Sequence, residues 1–87
     1  MISNGLRAIN FNICNIREIQ EVLNDVNEQL SDLMFSETFK DDDSKKYQIH
    51  KIKIFIQRNS IYSMPINELE NYIKKLIIII DYVIYEV

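Results

Sequence analysis

The chain has 87 residues, with one Gly, one Pro, one Cys, one His, no Trp and a formal net charge of -3. At this length folding buries only about 60% of the surface that the unfolded chain exposes, so one domain is expected and a large core leaves no room for a deep substrate cleft. With 47% apolar and 26% charged residues, the composition is that of a globular protein rather than a disordered chain. The scarcity of Gly and Pro argues against a β-sandwich or barrel with its many tight turns.

Residues 1–14 carry Leu6, Ile9, Phe11 and Ile13. They are apolar enough to pack on the remainder as a short helix, or as a strand over residues 8–13; partial disorder is the alternative. The start lacks the basic stretch and long apolar run of a signal peptide. Cys14 alone cannot make an internal disulfide, whereas small secreted domains usually carry an even set of bridges, so a reducing cytoplasmic location is the expectation.

From residue 15 to 35, Ile16, Ile19, Leu23, Val26, Leu30 and Leu33 recur at alternating steps of three and four. That spacing predicts an amphipathic helix with a narrow, coiled-coil-like seam. Asn15 followed by Glu18 resembles a capping box and marks its start. Asp25, Glu28 and Asp32 leave its outer side acidic.

Residues 36–44 include Asp41, Asp42, Asp43 and Ser44, a polar connection whose last members can cap the next helix. Between residues 45 and 58 the cations Lys45, Lys46, Lys51, Lys53 and Arg58 occur with no acid among them. Ile49, Ile52 and Ile56 keep helical spacing there. A strand is the competing reading, because Ile52, Ile54 and Ile56 also alternate with Lys51, Lys53 and Phe55. Residues 59–63 then interrupt the pattern.

Ser63 can cap a third helix with Pro65 in its first turn, where a missing N–H costs nothing. Ile66, Leu69, Ile73, Leu76, Ile80, Val83 and Val87 repeat the seam of the first helix, and at 1.5 Å per residue the two could pair antiparallel over roughly 30 Å. Residues 76–85 are apolar on nearly every side, with Ile78, Tyr82 and Tyr85 on one face. A helix of that kind must be covered all round. The covering element is either the N-terminal segment or another molecule, a protein partner or a second copy. The run is shorter than the ~20 residues a membrane span requires.

Catalysis has little to work with. Cys14 and His50 are single and nothing in the sequence orients them as a nucleophile and base, and one Cys with one His cannot build a zinc site. The Asp41–Asp43 run lacks the ligand alternation, Gly and terminal Glu of a calcium loop, and Gly5 alone makes no phosphate-cradling loop. No enzyme activity, metal or cofactor is therefore expected. Nucleic-acid binding through Lys45, Lys46, Lys51, Lys53 and Arg58 is an alternative, set against a bland reading in which the acidic first helix balances these cations within the bundle.

The stretch from residue 22 to 52, with Leu30, Leu33, Met34, Asp43, Lys45, Tyr47, Gln48 and Ile49, and the end with Ile79, Ile80 and Tyr82, resembles the small co-chaperones of type III secretion needle subunits. The resemblance implies a cytoplasmic helical hairpin that binds a second chaperone and helps keep a needle subunit monomeric. This chain departs from that pattern at residues 59–65, which interrupt the second helix. Ile56, Gln57, Arg58, Asn59, Ser60, Ile61, Tyr62 and Ser63, followed by Leu69, Lys75 and Leu76, resemble the last interhelix turn and final helix of helical bacteriocin immunity proteins. A small phage-encoded inhibitor would share the composition.

The expected protein is an all-α three-helix bundle, or a helical hairpin with an added helix. It acts by binding and occluding an apolar protein surface, with Tyr72, Ile78, Tyr82 and Tyr85 as contact residues. Tyr suits this role because its ring can be buried while its hydroxyl stays at the wet rim.

Overall fold

The computed structural model describes residues 1–86. In chain order its elements are α1 (Asn4–Arg7), α2 (Ile16–Met34), α3 (Asp43–Arg58), a 3-10 turn (Ile61–Ser63), α4 (Ile66–Ile80) and a π turn (Asp81–Tyr85) that prolongs α4. No strand occurs among the described residues. The fold is an all-α bundle of three long helices with a one-turn helix packed on them.

The start of α2 is fixed by Asn15, whose backbone is extended and whose side chain accepts the Glu18 N–H at 2.9 Å. The return arm of this cap runs side chain to side chain, Asn15 Nδ2 donating to Glu18 Oε1 at 3.4 Å. Ile19, Leu23, Val26 and Leu30 are buried along the seam, with Ile16 and Leu33 half-buried at its ends. No glycine ends α2. The Ser36 hydroxyl donates to the Leu33 carbonyl at 2.7 Å instead, and satisfying a terminal carbonyl in this way lets the chain turn.

Asp42 caps α3, accepting the Lys45 N–H at 3.0 Å. Ile49, Ile52 and Ile56 are buried, so helical spacing prevails over the competing strand pattern. At the far end Asn59 Nδ2 donates to the Phe55 carbonyl at 2.7 Å. Ile61, fully buried in the short turn that follows, plugs the end of the bundle. Ser63 does not cap α4. Pro65 takes the N-cap position with φ -60 and ψ 155, and no side chain caps it. Proline forces the residue before it out of helical backbone, as Met64 shows with ψ 132, so the helix starts only at Ile66.

In α4, Leu69, Tyr72, Ile73, Leu76 and Ile80 are buried while Ile66 is 51% exposed. The expected seam ends early. Asp81 opens the π turn, Val83 is half-buried, and Glu86 leaves with φ 57; Val87 lies outside the described residues. Lys45 in the first turn of α3 donates to the Val83 carbonyl. Phe55, near the end of α3, stacks on Tyr72 with centroids 5.4 Å apart. These two contacts at opposite ends make α3 and α4 antiparallel.

The N-terminal segment packs on the bundle. Residues 8–13 form no strand; they turn, with Cys14 N–H donating to Asn10 carbonyl at 2.9 Å. Leu6 is buried, and α1 touches both α2 and α4. The buried Asp81 carboxylate holds the segment in place. Ser3 Oγ donates to it at 2.6 Å and the Arg7 guanidinium pairs with it. The Ile2 N–H donates to the Tyr85 hydroxyl at 2.8 Å.

The folded surface is 5722 Å², against about 15,000 Å² for an unfolded chain of 10.4 kDa. The expected limit on burial is therefore met. The molecule measures 41 × 22 × 17 Å.

Candidate protein-docking face

The surroundings of α4 differ from sector to sector. Leu69, Ile73, Leu76 and Ile80 point into the core, and Asp81 meets the N-terminal segment. Ile79 and Val83 border α3. Among the described residues nothing covers the remaining sector: Ile78 is 68% exposed and Tyr82 70% exposed. Four residues apart, they are neighbours on one helical face. The N-terminal segment thus covers part of the helix that is apolar all round, and leaves this strip open.

Beside the strip runs an apolar groove between α3 and α4, of about 370 Å³ and lined by Gln48, Lys51, Ile52, Phe55, Lys75, Leu76, Ile79 and Val83. Ile79 lies three residues before Tyr82 and four after Lys75, so groove and strip join across the helix surface. A smaller depression of about 240 Å³ continues past Tyr72 to Met64 and Glu68.

Two of the predicted contact residues lie elsewhere. Tyr72 is 7% exposed and stacked on Phe55, and its hydroxyl is buried without a hydrogen-bond partner. It belongs to the core, and burial pushes its phenol up from 10.0 to about 12. Tyr85 is rotated away from Ile78 and Tyr82 and lines a depression with Ile2, Gln29, Asp32, Leu33 and Ser36. The cause is the π turn, whose wider ring advances each residue by less than the 100° of an α-helix.

The basic segment does not form one stripe. Lys45 is tied to the end of α4 through the Val83 carbonyl and Glu86, 3.8 Å away. Lys51 lies over the Tyr47 ring at 5.2 Å. Lys46 and Lys53 are half-buried, and Arg58 is exposed at the C-terminus of α3, where the helix dipole favours a cation. The exposed acids of α2 do not balance these cations by direct pairing, since no ion pair links α2 to α3 among the described residues. The two helices meet through their apolar stripes, which sends their charges outward. Sequence reasoning missed Lys75, which lies over Phe55 at 5.5 Å and gives the groove a second cationic bank. The signal was its spacing, four residues before Ile79.

Among the described residues no group of three His, Cys, Asp or Glu side chains is placed to hold a metal ion, and no helix is long and apolar enough to cross a membrane. Compared with protein-family models, curated proteins and solved structures, the chain matches none of them.

Proposed function

We propose that this chain is a small non-enzymatic interaction protein that docks on a protein partner through Ile78 and Tyr82 and occludes an apolar surface there. The observation that carries the reading is the strip itself: two large apolar side chains, each about two-thirds exposed, adjoin an apolar groove after the N-terminal segment has closed over the Asp81 side. Apolar contiguity of this kind marks interaction sites. Tyr82 supplies a large ring with few rotatable bonds and a hydroxyl that can remain wet. Occlusion needs no reacting group, only complementary area. A subunit that must stay monomeric before assembly is the partner implied by the co-chaperone resemblance. Phosphate binding by the basic segment is the poorer reading, because Lys45 is engaged at the end of α4 and the other cations are split between two faces of α3, Lys46 with Lys53 and Lys51 with Arg58.

The test uses the double variant Ile78→Ser and Tyr82→Ser. The polypeptide that co-purifies with the wild-type protein from its native source is identified, produced alone and titrated calorimetrically against both forms. The expected result is at least tenfold weaker binding by the variant, about 1.4 kcal/mol, with unchanged helicity. Substitutions at such exposed positions usually move stability by less than about 0.5 kcal/mol. Equal affinity of both forms sinks the assignment, and so does tight, steeply salt-dependent binding of an oligonucleotide in place of a polypeptide.

A further inference from the structure

Resting on that docking reading, we infer that the partner contributes an amphipathic helix whose apolar stripe enters the groove between α3 and α4 and whose flanks are acidic where they pass Lys51 and Lys75. The apolar lining of the groove is Ile52, Phe55, Leu76, Ile79 and Val83. From Lys75 to Val83 the bordering part of α4 and its π turn is nine residues long, roughly 12 Å or a little over two helical turns. Both walls are helices that satisfy their own backbone groups. An extended peptide laid between them would face apolar side chains with its N–H and C=O groups unpaired, whereas a helix brings those bonds with it.

Charge fixes the flanks. Lys51 and Lys75 stand on opposite banks, and neither has a carboxylate within ion-pair distance among the described residues. Each ammonium lies over an aromatic ring instead, Tyr47 and Phe55 respectively. The exposed acids of α2 lie on a different helix, which does not border the groove. The acidic requirement stops at Lys75, because Glu68 borders the depression beyond Tyr72.

The same charges argue against a second copy of this chain as the occupant. Pairing the face with itself sets the lysines of both copies against each other. The acidic helix α2 keeps its apolar stripe in its own core and so cannot offer it to a neighbour.

Two labelled peptides of about 18 residues, long enough for the groove with more than a turn to spare at each end, test this directly. They share one leucine stripe at helical spacing and differ only in carrying Glu or Lys on the flanks. Binding is read by fluorescence anisotropy at low and at 0.15 M salt, and its location by methyl NMR of Ile52, Ile79 and Val83. The Glu-flanked peptide is expected to bind at least tenfold more tightly, since rim charges act weakly one by one but oppositely in the two peptides. The variant Lys51→Glu with Lys75→Glu, both exposed positions, is expected to reverse that order while keeping its helicity. Equal affinity for the two peptides overturns the acidic flanks. Groove signals unmoved at about 1 mM peptide, a free energy near −4 kcal/mol, overturn the helical occupant. A concentration-dependent mass accompanied by groove shifts on dilution assigns the groove to a second copy and overturns the inference too. None of these measurements involves the native partner, so the docking reading stands or falls separately on Ile78 and Tyr82.

Discussion

Replacing Tyr72 by Phe should stabilise the protein, although it removes a polar group from the core. The Tyr72 ring is stacked on Phe55 with planes 10° apart, and its Oη has neither solvent nor a hydrogen-bond partner. Folding strips that hydroxyl of water without replacement, at a cost of about 1–3 kcal/mol. Tyr72→Phe deletes only the oxygen and keeps the stack, so a gain of about 1 kcal/mol is expected at pH 8. The phenol adds a pH signature. Its folded-state value, pushed up to about 12, lies above the unfolded value of 10.0. The neutral form is therefore favoured by folding, and this contribution is intact below pH 10 and lost as pH rises through 12. At pH 11 the loss amounts to about 1.4 kcal/mol, and at most about 3 kcal/mol is lost well above pH 12. Other groups titrate in the same window, so the quantity to measure is the difference between wild type and variant. Urea unfolding followed by far-UV circular dichroism at pH 8 and pH 11 gives it. The variant should lose about 1.4 kcal/mol less than wild type between the two conditions. Equal losses, or a variant less stable than wild type by 1 kcal/mol at pH 8, would show that the hydroxyl has a partner and refute the reasoning.

Asp81→Ala should destabilise by about 2–4 kcal/mol in urea titrations, because it leaves the fully buried Ser3 hydroxyl unpaired and frees Arg7, whose half-exposed side chain makes its share of the pair a modest one. Hydrogen exchange of residues 3–8 should accelerate more than that of α3; uniform acceleration would mean that Asp81 supports the whole bundle and not the N-terminal clasp. Gly5→Ala should stabilise by about 0.5–1 kcal/mol, since the position is helical and an added Cβ would meet the nearest atom, Val22 Cγ1, at an ordinary 3.4 Å. A rise of about 4 °C in the melting midpoint is the expected readout, and a fall would show that α1 cannot tolerate the contact.

What could be read from sequence were the features set by local spacing. The α2 seam and its Asn15 cap are short-range patterns, and Ile19, Leu23, Val26 and Leu30 are buried as their spacing requires. The helical state of α3 was harder to see, because Ile52, Ile54 and Ile56 satisfy two periods at once and only Ile52 and Ile56 proved to be buried. Tyr72 was legible in principle. It lies three residues after Leu69 and four before Leu76, on the buried stripe, and the preference of Tyr for interfaces obscured that spacing. Tyr85 was not legible, because its rotation depends on a change of helix type at Asp81. Nor was the clasp itself, which joins Ser3 and Arg7 to a carboxylate more than seventy positions away. In a run of isoleucines Asp81 reads as an interruption; in the fold it anchors the N-terminus.

The exposure of Ile78 and Tyr82 follows from how few layers 87 residues can make. Packed helix axes lie about 8–10 Å apart, so a body measuring 17 Å along its shortest axis holds two layers of helix and no third. Every helix in such a body has an outer face that the other long helices do not reach. For α2 that face carries Glu21, Asp25 and Glu28, and for α3 it carries His50, Lys51, Gln57 and Arg58 around an exposed Tyr47, so both are mostly polar. The outer face of α4 is polar as far as Lys74 and Lys75 and turns apolar at Ile78. Had the N-terminal segment been aligned with that face it could have covered it, but Ser3 and Arg7 bind Asp81 on another side. The segment is thus committed elsewhere, by the one buried carboxylate among the described residues, and the uncovered strip beside the lysine-banked groove is left for another chain.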